Sequence, residues 1–201
     1  NRRQNNHAFS YSSLEDLNTA LETGLTALPE TAELIDLQTA NLDHFEDVGL
    51  HTLRVVAEVK QTAGFGSLPA AASSLLVVAT YLHDIGKGPK SRWAAYGGRQ
   101  QVDADHPIKA LPMLKRIFTQ DVAYVPLEDV LLITKLIAYH DLVGGILYSG
   151  RRLTELLNVI TTERELDMLI GLGKADSTAI NPDWLNENLR ARLRAAVMAD
   201  L

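Results

Sequence analysis

Residues 70–88 read AAASSLLVVATYLHDIGKG. Up to Leu82 the run carries no charge, so it predicts a helix over 70–85 that is buried nearly all round. Gly86 and Gly88 close it. The helix delivers His83 and Asp84 side by side at its end. Burying a carboxylate without a partner is costly, so the pair requires a cation or a complete hydrogen-bond network.

Outward from this segment, apolar stripes at helical spacing alternate with Gly/Pro breaks. Residues 1–11 read as a polar arm. SSLE, starting at Ser12, fits a capping box with Glu15, and Leu14, Leu17, Leu21, Leu25 and Leu28 follow until Pro29. A short helix is expected within 30–40 and a longer one from about 43 to 62. Downstream, 88–104 has no period and is rich in Gly, Lys and Arg, which predicts a long surface loop. Asp105 can cap a helix with Pro107 in its first turn, and Pro112 is expected to kink or shorten it. Further helices are expected over 127–140, 152–159 and 162–179, the last with a capping box of Thr162 and Glu165. VGGILYSG, ending at Gly150, reads as a connector. Asn181 caps and Pro182 starts a final helix to about Met198, with Asp183 and Trp184 in its first turn. No alternating strand stands out. The fold class is therefore all-α: a single-domain bundle of about eight or nine helices, with residues 1–40 as an arm and helices packing on a core formed by 41–201.

The chain has 201 residues, a net charge of −6, 46% hydrophobic and 22% charged residues. That length can bury a full core. The acidic balance argues against general nucleic-acid or membrane-surface binding, and leaves a small phosphorylated or nucleotidyl substrate compatible. The absence of cysteine excludes disulfides, thiol nucleophiles and thiolate metal sites, and fits a cytoplasmic protein. No stretch reads as approaching the roughly 18 apolar residues of a membrane span. The chain opens on Asn1, which suggests trimming or a place within a larger polypeptide, and a homodimer is compatible.

Four of the six histidines, His51, His83, His106 and His140, fall on inward faces or ends of separate expected helices. Asp84 and Asp176 stand with them in apolar-to-small surroundings. A lone histidine of this kind is ordinarily a satisfied core residue. Four with two carboxylates would each need a partner, and one shared metal site provides for all of them. Imidazole and carboxylate without sulfur suit divalent Mn, Fe, Co, Ni or Zn better than calcium. Two such ions could share Asp84 as a bridge.

The series His51, His83-Asp84, His106, His140, Asp176 resembles the HD superfamily of metal-dependent phosphohydrolases over most of 43–180. The resemblance implies an HD-domain-like bundle. It also implies a first metal held by His51, His83, Asp84 and Asp176, and a second held by His106 and His140 with Asp84 bridging. HTLRVV at 51–56, HDIGKG at 83–88 and ADSTAINPDWLNENL at 175–189 are similar to the HD domain of bifunctional uridylyltransferase/uridylyl-removing enzymes. The chain departs from that pattern in its longer segment before His106 and in YHDL at 139–142, where a His-His pair is expected. It also has no room for a nucleotidyltransferase domain. The resemblance thus implies a phosphohydrolase cleaving a nucleotide-like phosphomonoester or phosphodiester through a metal-activated hydroxide. Two alternatives stand beside it. The same ligand order resembles the HD-fold mixed-valent diiron oxygenases, and the start on Asn1 keeps open a non-catalytic ligand-sensing module of a larger regulator.

Charge developing on phosphorus needs cations, and Lys87, Lys90, Arg92, Arg99 and Lys174 are the candidates. Lys87 equally suits a helix C-terminus, and the loop residues equally suit a solvated surface. Trp93 and Tyr96 would stack on a base or anchor the loop. His44, two turns before His51, would contact substrate or act as a general acid, or else lie at the surface. Asp47 would orient His51, Asp141 would lie beside the site or at the surface, and His7 has no role.

Overall fold

A computed structural model describes residues 8–42, 46–181 and 187–199, without side chains at 63 and 187–190. His7, His44, Pro182, Asp183 and Trp184 therefore lie outside the described residues. Eleven α-helical segments follow one another: α1 (Leu14–Thr23), α2 (Pro29–Ala32), α3 (Val48–Gln61), α4 (Ala63–Ser67), α5 (Ala70–Leu82), α6 (His106–Arg116), α7 (Leu127–Ala138), α8 (Leu142–Tyr148), α9 (Leu153–Leu157), α10 (Glu163–Ile180) and α11 (Glu187–Met198). Among the described residues there is no strand, only the isolated bridges Tyr11–Val122 and Thr39–Gln100. The all-helical reading holds. The count exceeds eight or nine because α2, α4 and α9 have only four or five residues.

The apolar run at 70–85 makes α5 the centre. Every residue from Leu76 to Ile85 is buried, and α1, α3, α7 and α10 all pack on this helix. The facing helices present stripes at 3.6-residue spacing: Leu14, Leu17 and Leu21 from α1; Val48, Val55, Val56 and Val59 from α3; Ile133, Leu136 and Ile137 from α7. One core runs from Leu14 to Val197 and includes Leu25, Leu28, Leu34 and Leu37.

Several local expectations shift. The N-cap of α1 is Ser13, not Ser12: its hydroxyl accepts from the Asp16 amide, and the Asp16 carboxylate accepts from the Ser12 amide and hydroxyl. α3 begins at Val48, because Asp47 caps it by accepting from the Leu50 amide. Pro112 does not end α6, which runs to Arg116 and widens into a π-turn at Ile117–Asp121. Only half of the expected box at Thr162 forms, since the Glu165 carboxylate accepts from Thr161 instead. The expected connector before Gly150 contains a helix, α8.

Leu127–Tyr148 is, at 22 residues and a mean hydropathy of 1.6, long and apolar enough to cross a membrane, contrary to the sequence expectation. The chain turns at 139–141 inside this stretch, divides it into α7 and α8, and buries His140 in the interior. Core helices of this kind pass the same test of length and composition.

The 88–104 segment also departs from a free surface loop. Lys90–Tyr96 coil as a 3₁₀-helix with Trp93 buried, its indole N–H donating to the Lys87 carbonyl. Arg92 stacks on Trp93 at 4.3 Å and donates to the carbonyls of Gly86 and Gly88. Gln100 pairs with the backbone at Gln38 and Ala40.

Candidate metal centre

The six ligand candidates meet at one point although they come from five helices. His51 lies on α3, His83 and Asp84 in the turn after α5, His106 at the start of α6, His140 in the turn after α7, and Asp176 on α10. A glycine permits the closest approach: a Cβ at Gly86 would stand 1.9 Å from the His106 carbonyl oxygen and 2.9 Å from the Ala110 amide. Only glycine lets the turn Ile85–Lys87 rest on α6 and bring His106 to Asp84.

Three imidazoles are oriented in the same way. His83 Nδ1 lies 2.6 Å from the Thr80 carbonyl, His106 Nδ1 lies 2.7 Å from that of Asp103, and His140 Nδ1 lies 2.7 Å from that of Ile137. Each partner is three residues earlier. For His83 and His140 it is a carbonyl in the last turn of a helix, where the intrahelical acceptors are not all used. A carbonyl oxygen only accepts, so each Nδ1 carries the proton and each Nε2 faces the cluster. This is why the histidines stand at helix ends.

The inward atoms crowd together. His51 Nε2 is 2.8 Å from Asp176 Oδ1, and His83 Nε2 is 3.7 Å from the same oxygen. Asp84 divides its two oxygens. Oδ2 lies 3.4 Å from His83 and 4.0 Å from His51, whereas Oδ1 lies 3.2 Å from His106 and 3.9 Å from His140. The Nε2 atoms of His106 and His140 are 3.2 Å apart. Three overlapping sets, His51/His83/Asp84, His83/His140/Asp176 and Asp84/His106/His140, each offer donor atoms within 4.8 Å of one another.

Lone pairs at these separations repel unless positive charge lies between them. Protons meet part of the demand. Burial lowers the pKa of His83, but the Asp84 and Asp176 carboxylates outweigh it and raise it to about 9. Burial lowers His106 as well, and the Asp84 carboxylate carries it above its ordinary value. His140 is lowered, by burial and by its neighbours His83 and His106, with Asp141 opposing. Asp84 and Asp176 are held far below the usual carboxylate range: burial pushes each up, and the surrounding cations outweigh it. His83 Nε2 and Asp84 Oδ1 nevertheless remain buried without a hydrogen bond. Orphaned polar atoms of this kind, aimed at one another from an all-nitrogen-and-oxygen set, fit divalent transition-metal ions.

The other sequence candidates separate. Lys87 joins the site, with Nζ 2.7 Å from Asp84 Oδ2. Burial lowers its pKa, yet Asp84 and Asp176 raise it above the ordinary lysine value, so it stays charged. Arg92 is committed to Gly86, Gly88 and Asp103, and Arg99 donates to the Thr39 carbonyl. Lys90 is exposed, with its backbone amide on Glu33. Lys174 is half-buried on α10 and lines neither cavity beside the cluster. Asp141 is closer than its sequence context indicated: its oxygens lie 3.3 Å from His140 Nε2 and 3.8 Å from His106 Nε2.

Two cavities open on the cluster and share Asn41, Ala104, His140, Asp141, Asp176 and Ile180. They form two arms of one cleft. The first, about 220 Å³, adds Lys87, Thr39 and Gln100. The second, about 620 Å³, adds Gly144, Gly145, Tyr148, Arg151, Gly173 and Ser177. Sequence reading missed the second arm. The paired glycines directly after His140-Asp141 were its only visible signal.

No family model, curated protein or solved structure matches this chain.

Proposed function

We propose that the cluster holds two divalent transition-metal ions and that the protein is an HD-type phosphohydrolase acting on a phosphomonoester or phosphodiester. The observation that carries this reading is the division of Asp84. One oxygen faces His51, His83 and Lys87, the other faces His106 and His140, and three imidazoles turn their Nε2 atoms to the same point. A carboxylate placed in this way would serve two cations at once. The ligand order along the chain, from His51 through His83-Asp84, His106 and His140 to Asp176, supports the HD assignment.

Ions bound there supply Lewis-acid charge to phosphoryl oxygens and a water nucleophile near neutral pH. The protein's own contribution is orientation. The carbonyls of Thr80, Asp103 and Ile137 fix the three rings, and Asp176 sits against His51. Lys87 brings a permanent positive charge to the wall of the first arm, where it can stabilise negative charge developing on a phosphoryl group. Burial excludes water from the donor atoms, which strengthens every one of these interactions.

The test is elemental analysis of protein purified without chelator, followed by a panel of phosphomonoesters and phosphodiesters. Two ions per chain and hydrolysis that stops on chelation are the expected results. No bound metal after reconstitution would sink the proposal. Two irons with a mixed-valent EPR signal would transfer the same site to the oxygenase alternative.

A further inference from the structure

The second arm of the cleft contains a glycine that the fold does not require. A Cβ at Gly145 would meet Arg151 Cδ at 2.5 Å, and one at Gly173 would meet the His140 carbonyl and Val143 Cβ at 3.2 Å. Those two positions must stay small for α8 to approach α10 and for Arg151 to cross α8. Gly144 differs. A Cβ there would meet only Ser177 Oγ, at an ordinary 3.7 Å, and its φ is not in the left-handed region. A glycine inside a helix is destabilising relative to alanine. Neither packing nor backbone accounts for Gly144, and the space it leaves open is the second arm.

The arm's chemistry limits what can fill it. Its charged lining residues are Asp141, Asp176 and Arg151. Arg151 is committed, with Nε and Nη2 at 3.1 and 2.8 Å from a Glu155 carboxylate oxygen. Lys87 lies in the other arm. Asp141 and Asp176 belong to the cluster, so the arm's own contribution is Arg151, the one lysine or arginine among its described lining residues, and its pairing with Glu155 leaves no separate cation for a second phosphate or a carboxylate. Tyr148, half-exposed, offers an aromatic face, and Ile180 and the glycines offer apolar wall. About 620 Å³ is ample for a ring system.

We propose that this arm binds the non-reacting body of the substrate, and that this body is a flat ring without negative charge, attached to a single phosphoryl group. The inference rests on the phosphohydrolase reading. It favours monoesters or diesters with one neutral aromatic substituent.

The experiment is calorimetric binding of three non-hydrolysable probes to the metal-loaded full chain: methylphosphonate, phenylphosphonate and 4-carboxyphenylphosphonate. Phenylphosphonate is expected to bind at least tenfold more tightly than methylphosphonate, and the added carboxylate is expected to remove that gain. Gly144→Leu should abolish the ring's advantage while leaving metal content and methylphosphonate affinity unchanged. Gly144→Ala, for which there is room, should retain the advantage and raise the thermal midpoint. Equal binding of phenyl- and methylphosphonate by the native chain overturns the inference, whatever the folding of the variants. A ring advantage that survives in a folded Gly144→Leu protein overturns it too. If no phosphonate binds the metal-loaded protein, the phosphohydrolase reading falls and takes this inference with it. Methylphosphonate binding without a ring advantage removes this inference alone.

Discussion

The two halves of the cluster use the same residue types and differ in charge and support. The deep half, His51, His83 and Asp176 with Asp84 Oδ2, sets two carboxylates against two imidazoles, and both rings are almost fully buried. The outer half, His106 and His140 with Asp84 Oδ1, has two rings 3.2 Å apart, and its second carboxylate, Asp141, is 43% exposed. Negative charge in a water-excluded position binds a cation more strongly than the same charge open to solvent. Under the two-ion proposal, the deep half would be the tighter site and the outer half the more exchangeable one, beside the cleft.

The largest test of that contrast is at the shared residue. Asp84→Asn removes the charge that both halves use and leaves the shape. Activity on any phosphoester substrate is expected to fall by at least about 100-fold, with fewer than one ion retained per chain. His140→Ala should leave about one ion and His83→Ala should cost both, because the deep site is the stronger and His83 lies in contact with both halves. Equal ion loss from the two histidine variants would erase the distinction between the halves.

Protonation gives a second test, of intermediate size. His83 in the metal-free fold is raised from 6.5 to about 9 by Asp84 and Asp176 against burial. A group raised in the folded state contributes stability that is fully present below 6.5 and lost as pH rises through about 9. The depressed Asp84 and Asp176 contribute above their ordinary value of 3.8 and lose it as pH falls further. The metal-free thermal midpoint should thus be highest between about pH 4 and 6.5 and decline toward pH 9 to 10. Metal loading at pH 7 should release protons, since the ion takes the place of the one on His83. Calorimetry in buffers of different ionisation enthalpy reads that release directly. A metal-free midpoint that is flat from pH 6 to 10, with no proton release on loading, would contradict the assigned charge state.

The six residues that cluster could be singled out in the sequence because most of them sit beside an apolar stripe or at its end, where 3.6-residue periodicity fixes direction. His51 on the Val48–Val59 stripe and His83 after the buried 76–82 run are such cases. The substrate cleft could not be read that way. Its second arm is lined by residues without periodic signal, among them three glycines, two serines and a tyrosine, brought together where α8 meets α10. The 88–104 segment failed in the opposite sense. Its Gly, Lys and Arg content predicts a surface loop whose cations serve phosphate or solvent, but Arg92 and Arg99 are spent on backbone carbonyls and Asp103. A guanidinium serves buried carbonyls as well as phosphate, and composition does not distinguish the two uses.

That failure yields the smallest and most selective test. Arg92 reaches the outer half without touching it. Its guanidinium bonds the Gly86 and Gly88 carbonyls and the Asp103 carboxylate, and the Asp103 backbone carbonyl in turn fixes His106 Nδ1. Lys109 holds the same carboxylate, so Asp103 is not left without a cation when Arg92 is removed. On its other side Arg92 holds the Gly86–Gly88 turn, which carries Lys87 beside Asp84 Oδ2, so the direct support of a ring is at His106. Removing support behind a metal-ligating histidine ordinarily weakens metal affinity about 10- to 100-fold. Arg92→Ala should show that loss chiefly for the second ion, with a smaller change for the first. Arg92→Lys should not restore it, because one ammonium cannot span two carbonyls and a carboxylate as the planar fork does. A stepwise metal titration of both variants separates the outcomes. Unequal loss locates the weakness of the outer half in its support. Equal loss from both positions would mean that Arg92 merely stabilises the fold, and the two halves would then differ in charge alone.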